Sequence, residues 1–366
     1  MMLVYRLKLH IFLALFGLQQ HSVVLAEAIT LDVDKNATVE DATTSVMGLN
    51  HIGLSVRDLD VALDYYLAAT GFALIRKDQV ADNKAADTLY SQEDVSFKIA
   101  VLKGPNMLLE LTEFEGNSDE MTDKMLPQGP GMTHTCFQSP ITSSGWDRFI
   151  SAGAKPLSRG NQPIDLGGYG VTYGYAYDPD GNMIELEQLD TTVIRRAGLD
   201  FVLDDDSENL WMSQVAIATH DIVELMEFYQ QVLGFKPFRF TRVSDNTRLD
   251  AIVDIDNVDL YGGWFKLDKA SKVIEFWQYV SPITTQAIDK RYPTSLGYSF
   301  SIEVSDIDAE YQRLKTLGLD FFSEPLQFDG FWQVYARDLH GNIFALRQAV
   351  DPQSLLSVTK MDAWAS

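Results

Sequence analysis

Apolar and polar positions alternate most regularly over residues 173–187. Tyr173, Tyr175 and Tyr177 share one face before Asp178-Pro179-Asp180-Gly181. There the proline presets φ and the glycine accepts a positive φ, so the stretch predicts a β-hairpin. Beyond the turn, Ile184 and Leu186 point one way and Met183, Glu185 and Glu187 the other. A carboxylate on a mostly apolar inner strand face is costly unless something pairs with it, which singles out Glu185. Three more short stretches read as strands: Asn50 to Val56, Met107 to Thr112 and Gly131 to Phe137.

Between strands the period becomes helical. Asp58 can cap a helix that carries Leu59, Ala62, Leu63, Tyr66 and Leu67 on one face, and Gly71 ends it. Three strands follow at 72–78, 95–103 and 106–114, with a polar loop at 79–94. A long loop at 115–131 reads equally as a lid or as a linker. The next module has a short helix near 143–152, a glycine-rich segment at 167–170, and the hairpin.

The same order then recurs. An offset of 163 takes His51 to Gln214, 165 takes Glu110 to Glu275, 166 takes His134 to Phe300 and 160 takes Glu185 to Ala345. Near-constant spacing at four landmarks is the mark of a tandem repeat. His51, Glu110, His134 and Glu185 hold equivalent places in the first two half-units. Two imidazoles and two carboxylates suit one divalent metal ion, with Zn, Ni, Co, Mn and Fe all chemically possible. The second copy has lost this set: Phe300 and Ala345 bind no metal and Gln214 is a weak ligand. Its aromatic residues, Trp264, Phe265, Phe276 and Trp277 among them, read as core or as the wall of a pocket. His220 and His340 read as local caps or surface contacts.

Length and composition add bounds. A chain of 366 residues that is 46% hydrophobic suits two domains. A net charge of −23 with no compensating basic stretch argues against nucleic acid or an anionic membrane as partner. Residues 1–28 read as a signal peptide: Arg6 and Lys8, a short apolar core at 11–18, then Ala26-Glu27-Ala28 as cleavage site. The mature protein is expected to begin near Ile29, in the periplasm or medium, with no membrane attachment after cleavage. Cys136 is the single cysteine and excludes an intrachain disulfide. It shares a strand face with His134, so Cys136 and Tyr175 are candidates for the substrate pocket.

Asn50-His51-Ile52-Gly53, Leu109-Glu110-Leu111, Thr133-His134 and Asp178 to Glu185 together resemble the vicinal oxygen chelate superfamily. That superfamily includes glyoxalase I, methylmalonyl-CoA epimerase, extradiol dioxygenases and antibiotic-resistance proteins. The resemblance implies an α+β fold of tandem domains, each of two βαβββ modules forming a half-barrel around a metal. The boundaries are an N-terminal arm at 29–46, a metal-binding domain at 47–190, a linker at 191–209, a degenerate domain at 210–349 and a tail at 350–366. Asp204-Asp205-Asp206 in the linker reads as a solvated acidic run.

The resemblance also implies a small-molecule substrate, and a monomer or homodimer. Two histidines with two carboxylates are similar to glyoxalase I, where a metal acts as a Lewis acid and a carboxylate moves a proton. Glu185, with Glu110 as its counterpart, is the implied catalytic base. A metal-dependent isomerase, epimerase or lyase acting on an enolisable substrate is therefore expected. Alternatives are a ring-cleaving dioxygenase or a protein that binds a small molecule without turnover. Tyr175 to Glu185 fits the dioxygenase signature, yet no histidine lies between His134 and His220 to serve as its acid/base. Family half-sites form within one domain or by exchange between domains. Pairing inside 47–190 is expected, because it leaves no ligand orphaned. Exchange instead sets Gln214 and Glu275 beside His134 and Glu185, a set that also resembles some glyoxalases. It leaves His51 and Glu110 with Phe300 and Ala345.

Overall fold

Four segments of the chain open alike, with an apolar strand, a capping side chain and an amphipathic helix. Asp58, Asp221 and Asp306 each accept a hydrogen bond from the backbone N–H three residues on, and Ser144 does the same. Each thereby satisfies one of the orphan donors of a helix N-terminus. Gly71 and Gly234 end two of those helices in the left-handed conformation that only glycine adopts without strain. The computed structural model describes residues 29–117, 124–203, 209–268, 272–287 and 291–361. The leader expected at 1–28 and the acidic run at 204–206 lie outside them.

The first module contains β1 (Val46–Ser55), α1 (Leu59–Thr70), β2 (Ala73–Val80), α2 (Lys84–Tyr90), β3 (Phe97–Lys103) and β4 (Leu108–Phe114). The second contains β5 (Gly131–Pro140), α3 (Gly145–Ala152), β6 (Lys155–Pro156), β7 (Ile164–Asp165), β8 (Val171–Tyr177) and β9 (Met183–Leu189), followed by α4 (Thr191–Arg196). The third contains β10 (Trp211–Ala218), α5 (Ile222–Leu233), β11 (Arg239–Val243), α6 (Thr247–Val253), β12 (Asp259–Lys266) and β13 (Val273–Ser281). The fourth contains β14 (Gly297–Val304), α7 (Ile307–Thr316), β15 (Asp320–Phe321), β16 (Leu326–Phe328), β17 (Phe331–Arg337) and β18 (Ile343–Ala349), with α8 (Val358–Met361) beyond. All belong to the unit Leu31–Ser366. Helix α2 falls in the expected polar loop 79–94; at seven residues it is too short to show a helical period.

The modules do not pair as the sequence suggested. One nine-stranded sheet runs β15-β17-β18-β14-β1-β4-β3-β2, with β16 beside β17. The other runs β11-β12-β13-β10-β5-β9-β8-β6, with β7 beside β8. Module one thus shares a sheet with module four, and module two with module three. The first strand of every module has one edge left after pairing with its own last strand, so any other first strand fits it. Specific polar contacts distinguish the partners. Asn50 Nδ2 donates to Glu303 Oε2 at 2.6 Å across β1 and β14. Thr135 Oγ1 donates to the Gln214 carbonyl at 2.7 Å, and Trp211 Nε1 to Gln138 Oε1 at 2.8 Å, across β5 and β10.

One face of each sheet packs on α1, α3, α5 and α7 in a continuous apolar cluster that includes Ile52, Phe300, Ile184 and Val215. Each such buried side chain contributes about 1.5–3 kcal/mol relative to exposure. The opposite faces carry the histidines and carboxylates. The turn that opened the sequence reading is built twice. Asp178 accepts from the Asp180 and Asn182 amides, from Asn182 Nδ2 and from Tyr66 Oη. Asp338 accepts from His340, Asn342 and Tyr229 in the same way.

Candidate metal centre

Four adjacent central strands, β13, β10, β5 and β9, each place one polar side chain on the face away from the helices. These are Glu275, Gln214, His134 and Glu185. The register explains their convergence: Ala216 lies between Glu275 and His134, and Cys136 lies between Gln214 and Glu185. Between Ala216 and Ile217 the ladder skips from His134 to Met132, a bulge at Thr133. Bulges of this kind re-aim side chains.

The four groups meet closely. His134 Nε2 lies 2.8 Å from Glu185 Oε2 and 3.4 Å from Glu275 Oε2. Gln214 Nε2 donates to Glu185 Oε2 at 3.0 Å and to Glu275 Oε2 at 3.1 Å. Trp264 Nε1 donates to Glu275 Oε1 at 2.5 Å, and Thr133 Oγ1 lies 3.0 Å from His134 Nδ1. His134, Glu185 and Glu275 are all at most 4% exposed. His134 Nε2 makes no well-aligned hydrogen bond despite the short distance to Glu185.

Electrostatics sharpen the picture. Burial opposes a charge on His134, but the Glu185 and Glu275 carboxylates outweigh it and raise its pKa to about 9. Burial raises the pKa of Glu185, and His134 and Gln214 only partly offset that. Glu187 is pushed up to about 8 by burial and then by the Glu185 charge. Burial also holds Cys136 as a thiol and Tyr175 as a phenol. Tyr175 sets its ring against the His134 ring, with centroids 4.9 Å apart. Cys136 stands beside Glu185 in the ladder, and its sulfur groups with carboxylate oxygens of Glu185 and Glu187.

His134, Glu185 and Glu275 present ligand atoms that all lie within 4.8 Å of one another, as a shared cation requires. The donor set fits a divalent metal ion. Two buried carboxylates and an unpartnered imidazole nitrogen are costly together without a cation. Gln214 turns its amide nitrogen to the carboxylates. A half-turn of that amide presents Oε1 instead, with the same shape.

His51 and Glu110, expected as ligands here, lie in the other sheet. Glu110 is met there by Arg347, whose Nη2 is 3.2 Å from Glu110 Oε2. Burial and the Arg347 charge hold the pKa of His51 well below its usual value, and Asn50 Oδ1 lies 3.3 Å from its Nδ1. Neither group is orphaned, so the reasoning that favoured pairing inside 47–190 fails. Glu275, and not Glu110, stands beside Glu185 and His134. The counterpart of His134 also changes: Gly53 lies between Glu110 and Ser299, as Ala216 lies between Glu275 and His134. Phe300 points into the helix layer, where it stacks on Phe344. The Thr133 bulge has no equivalent there, which puts the repeat one residue out of step. Trp264 belongs to the wall of the centre. Its indole hydrogen bond depends on β12 lying beside β13, which aromatic composition does not reveal.

The family model of the Glyoxalase/Bleomycin resistance protein/Dioxygenase superfamily matches residues 48–186, and a second model of that description matches residues 213–335. The chain is 27% identical over 166 residues to a lactoylglutathione lyase of Pseudomonas aeruginosa, covering 40% of this chain and 86% of that one. It is 27% identical over 143 residues to an ethylmalonyl-CoA/methylmalonyl-CoA epimerase of Cereibacter sphaeroides, covering 38% of this chain and 97% of that one. Its fold is similar to that of glyoxalase I from Zea mays, with a TM-score of 0.54 and 20% identity, covering 82% of this chain and 92% of the other.

Proposed function

The chain belongs to the Glyoxalase/Bleomycin resistance protein/Dioxygenase superfamily, and from that premise we propose that it is a metal-dependent isomerase, epimerase or lyase. The observation that carries the reading is the convergence of His134, Gln214, Glu185 and Glu275. His134, Glu185 and Glu275, with Gln214 beside them, would hold a divalent metal, which would supply Lewis acidity toward adjacent oxygens of an enolisable substrate. Glu185 and Glu275 both bring an oxygen near His134 Nε2, and either carboxylate would serve as the base that moves a proton between neighbouring carbons. Gln214 Nε2 donates to both carboxylates and so tethers them to one donor. Trp264 anchors the second oxygen of Glu275, which leaves Glu185 the freer base. Tyr175 walls the centre beside His134 and helps exclude water from it.

Residues 1–28 carry the features of an export signal, so the reading includes a periplasmic or secreted protein and a substrate other than a glutathione adduct. Tyr175 beside His134 is the feature that favours a ring-cleaving dioxygenase as the second reading. The second carboxylate weighs against it, because an iron oxygenase with two histidines and one carboxylate keeps positions open for substrate and oxygen.

Metal analysis of the purified chain before and after chelation, with a screen of α-hydroxy carbonyl and acyl substrates under air and argon, tests the reading. Rearranged or cleaved product of unchanged oxidation state, formed equally under argon, supports it. Oxygen uptake with bound iron establishes the dioxygenase instead. Ligand retention without product establishes a sequestering protein.

A further inference from the structure

His134, Gln214, Glu185 and Glu275 are each at most 7% exposed, so a metal ion or a substrate reaches them only when a covering element moves. Helix α6 covers them. Its Leu249, Ile252 and Val253 are buried in one apolar cluster with Tyr173, Tyr175, Met183 and Tyr279. Tyr175 is the ring that packs on His134. We propose that α6 is a gate over this centre, latched shut by Arg159, and that it opens by parting from residues 158–165 of the second module. The proposal rests on the metal reading only for what passes through the gate.

The helix belongs to the third module but closes against the second. Ser158 Oγ donates to the Ile252 carbonyl at 2.6 Å and accepts from the Tyr175 amide at 2.8 Å, which ties α6 to the strand that carries Tyr175. Arg159 reaches the turn after the helix: its Nε lies 2.7 Å from Asp254 Oδ1 and its Nη1 2.8 Å from Asp256 Oδ1. At the other end, Arg248 Nη1 donates to the Asp165 carbonyl at 3.2 Å. Gly167 makes room for that contact, since a Cβ there would come within 3.1 Å of Arg248 Nη1.

These contacts suit a gate because they are few and mostly wet. Arg159, Asp254 and Asp256 are exposed, so each ion pair contributes little and salt screens it. The apolar residues of α6 lie in a cluster separate from the main core, so opening leaves the helix layer in place. Seven residues do not make a stable helix alone, so α6 loses its protection once undocked. The matching helix α2, over the other sheet, is held differently. Its Ala86, Leu89 and Tyr90 pack on Phe328 and Tyr335 of the fourth module, and Lys84 pairs with Asp87 and Asp94 of its own.

The test compares the full-length parent, Arg159→Gln and Arg76→Gln by hydrogen–deuterium exchange at 247–253 and by the rate at which a chelator strips preloaded zinc. Arg76→Gln breaks a cross-module ion pair of the other sheet, to Asp329, and is the control. Arg159→Gln should speed both exchange at α6 and zinc release about two- to tenfold, with zinc stoichiometry unchanged. Arg76→Gln should match the parent in both. Raising salt from about 20 mM to about 500 mM should speed both in the parent and have less effect in Arg159→Gln. Unchanged exchange in Arg159→Gln, equal acceleration in Arg76→Gln, or zinc release that does not follow exchange at α6 overturns the proposal. A parent that holds no zinc refutes the metal centre instead, and the exchange comparison alone then decides whether Arg159 latches α6.

Discussion

Substitution of Glu110 by glutamine separates a structural charge pair from a metal ligand. The side chains of Arg347 and Glu110 are 6% and 10% exposed, so solvent screens them little. At 3.2 Å and an effective dielectric of about 20, the Coulomb attraction is about 5 kcal/mol. Some of this persists as a neutral hydrogen bond in the variant, and the Phe331 ring retains part of its attraction for the guanidinium. Breaking a buried pair by removing one partner costs about 3–5 kcal/mol, and the retained contacts place Glu110→Gln near 3 kcal/mol. Removing both charges in Glu110→Gln/Arg347→Met leaves no uncompensated ion, so stability should return to within about 1 kcal/mol of the parent. Urea unfolding of the parent, Glu110→Gln, Arg347→Met and the double variant, with metal and with chelator, measures the cycle. The metal content of the Glu110→Gln variant should equal that of the parent. An undiminished stability in the single variant, or a loss of bound metal, refutes the assignment of Glu110 to a structural pair.

Three further outcomes are expected. Metal binding should release a proton, because metal-free His134 keeps its proton up to a pKa of about 9. Apparent affinity should therefore rise as pH rises from 6 toward about 9, and titrations in buffers of different ionisation enthalpy should show the released proton. Trp264→Phe removes the indole donor to Glu275 and should weaken metal binding about 10- to 100-fold without unfolding the chain, as competition with a chromophoric chelator reads directly. Asp178→Ala strips the buried hairpin turn of the acceptor shared by Tyr66 and Asn182 and should cost about 1–3 kcal/mol in urea unfolding.

Much of the architecture was legible because it repeats. The caps Asp58 and Asp221, the glycines Gly71 and Gly234, and the Asp178 and Asp338 turns recur at near-constant spacing, and each dictates its element locally. Half of the centre followed from the same logic. His134 and Glu185 stood out as polar residues on apolar strand faces, and the structure brings them together. Their partners could not be read from local pattern. Choosing β10 rather than β1 beside β5 depends on long-range contacts such as Trp211 to Gln138, to which no periodicity points. The rule that no ligand be left alone does not hold here, because Arg347 partners Glu110. A signal was present: Arg347 is a cation on an inner strand face two residues after Ala345. The single-residue bulge at Thr133 likewise moved the counterpart of His134 from Phe300 to Ser299 without changing the overall offset of the repeat.

The measurement that bears most directly on the account is the metal-to-protein ratio of four variants after equilibration with limiting zinc and gel filtration. The centre is assigned to the sheet of β5, β9, β10 and β13, so His134→Ala and Glu275→Gln should come through stripped of metal. His51→Ala and Glu110→Gln, in the other sheet, should retain one equivalent per folded chain. Retention by Glu275→Gln together with loss from His51→Ala would contradict the account and return the metal to the first two modules alone.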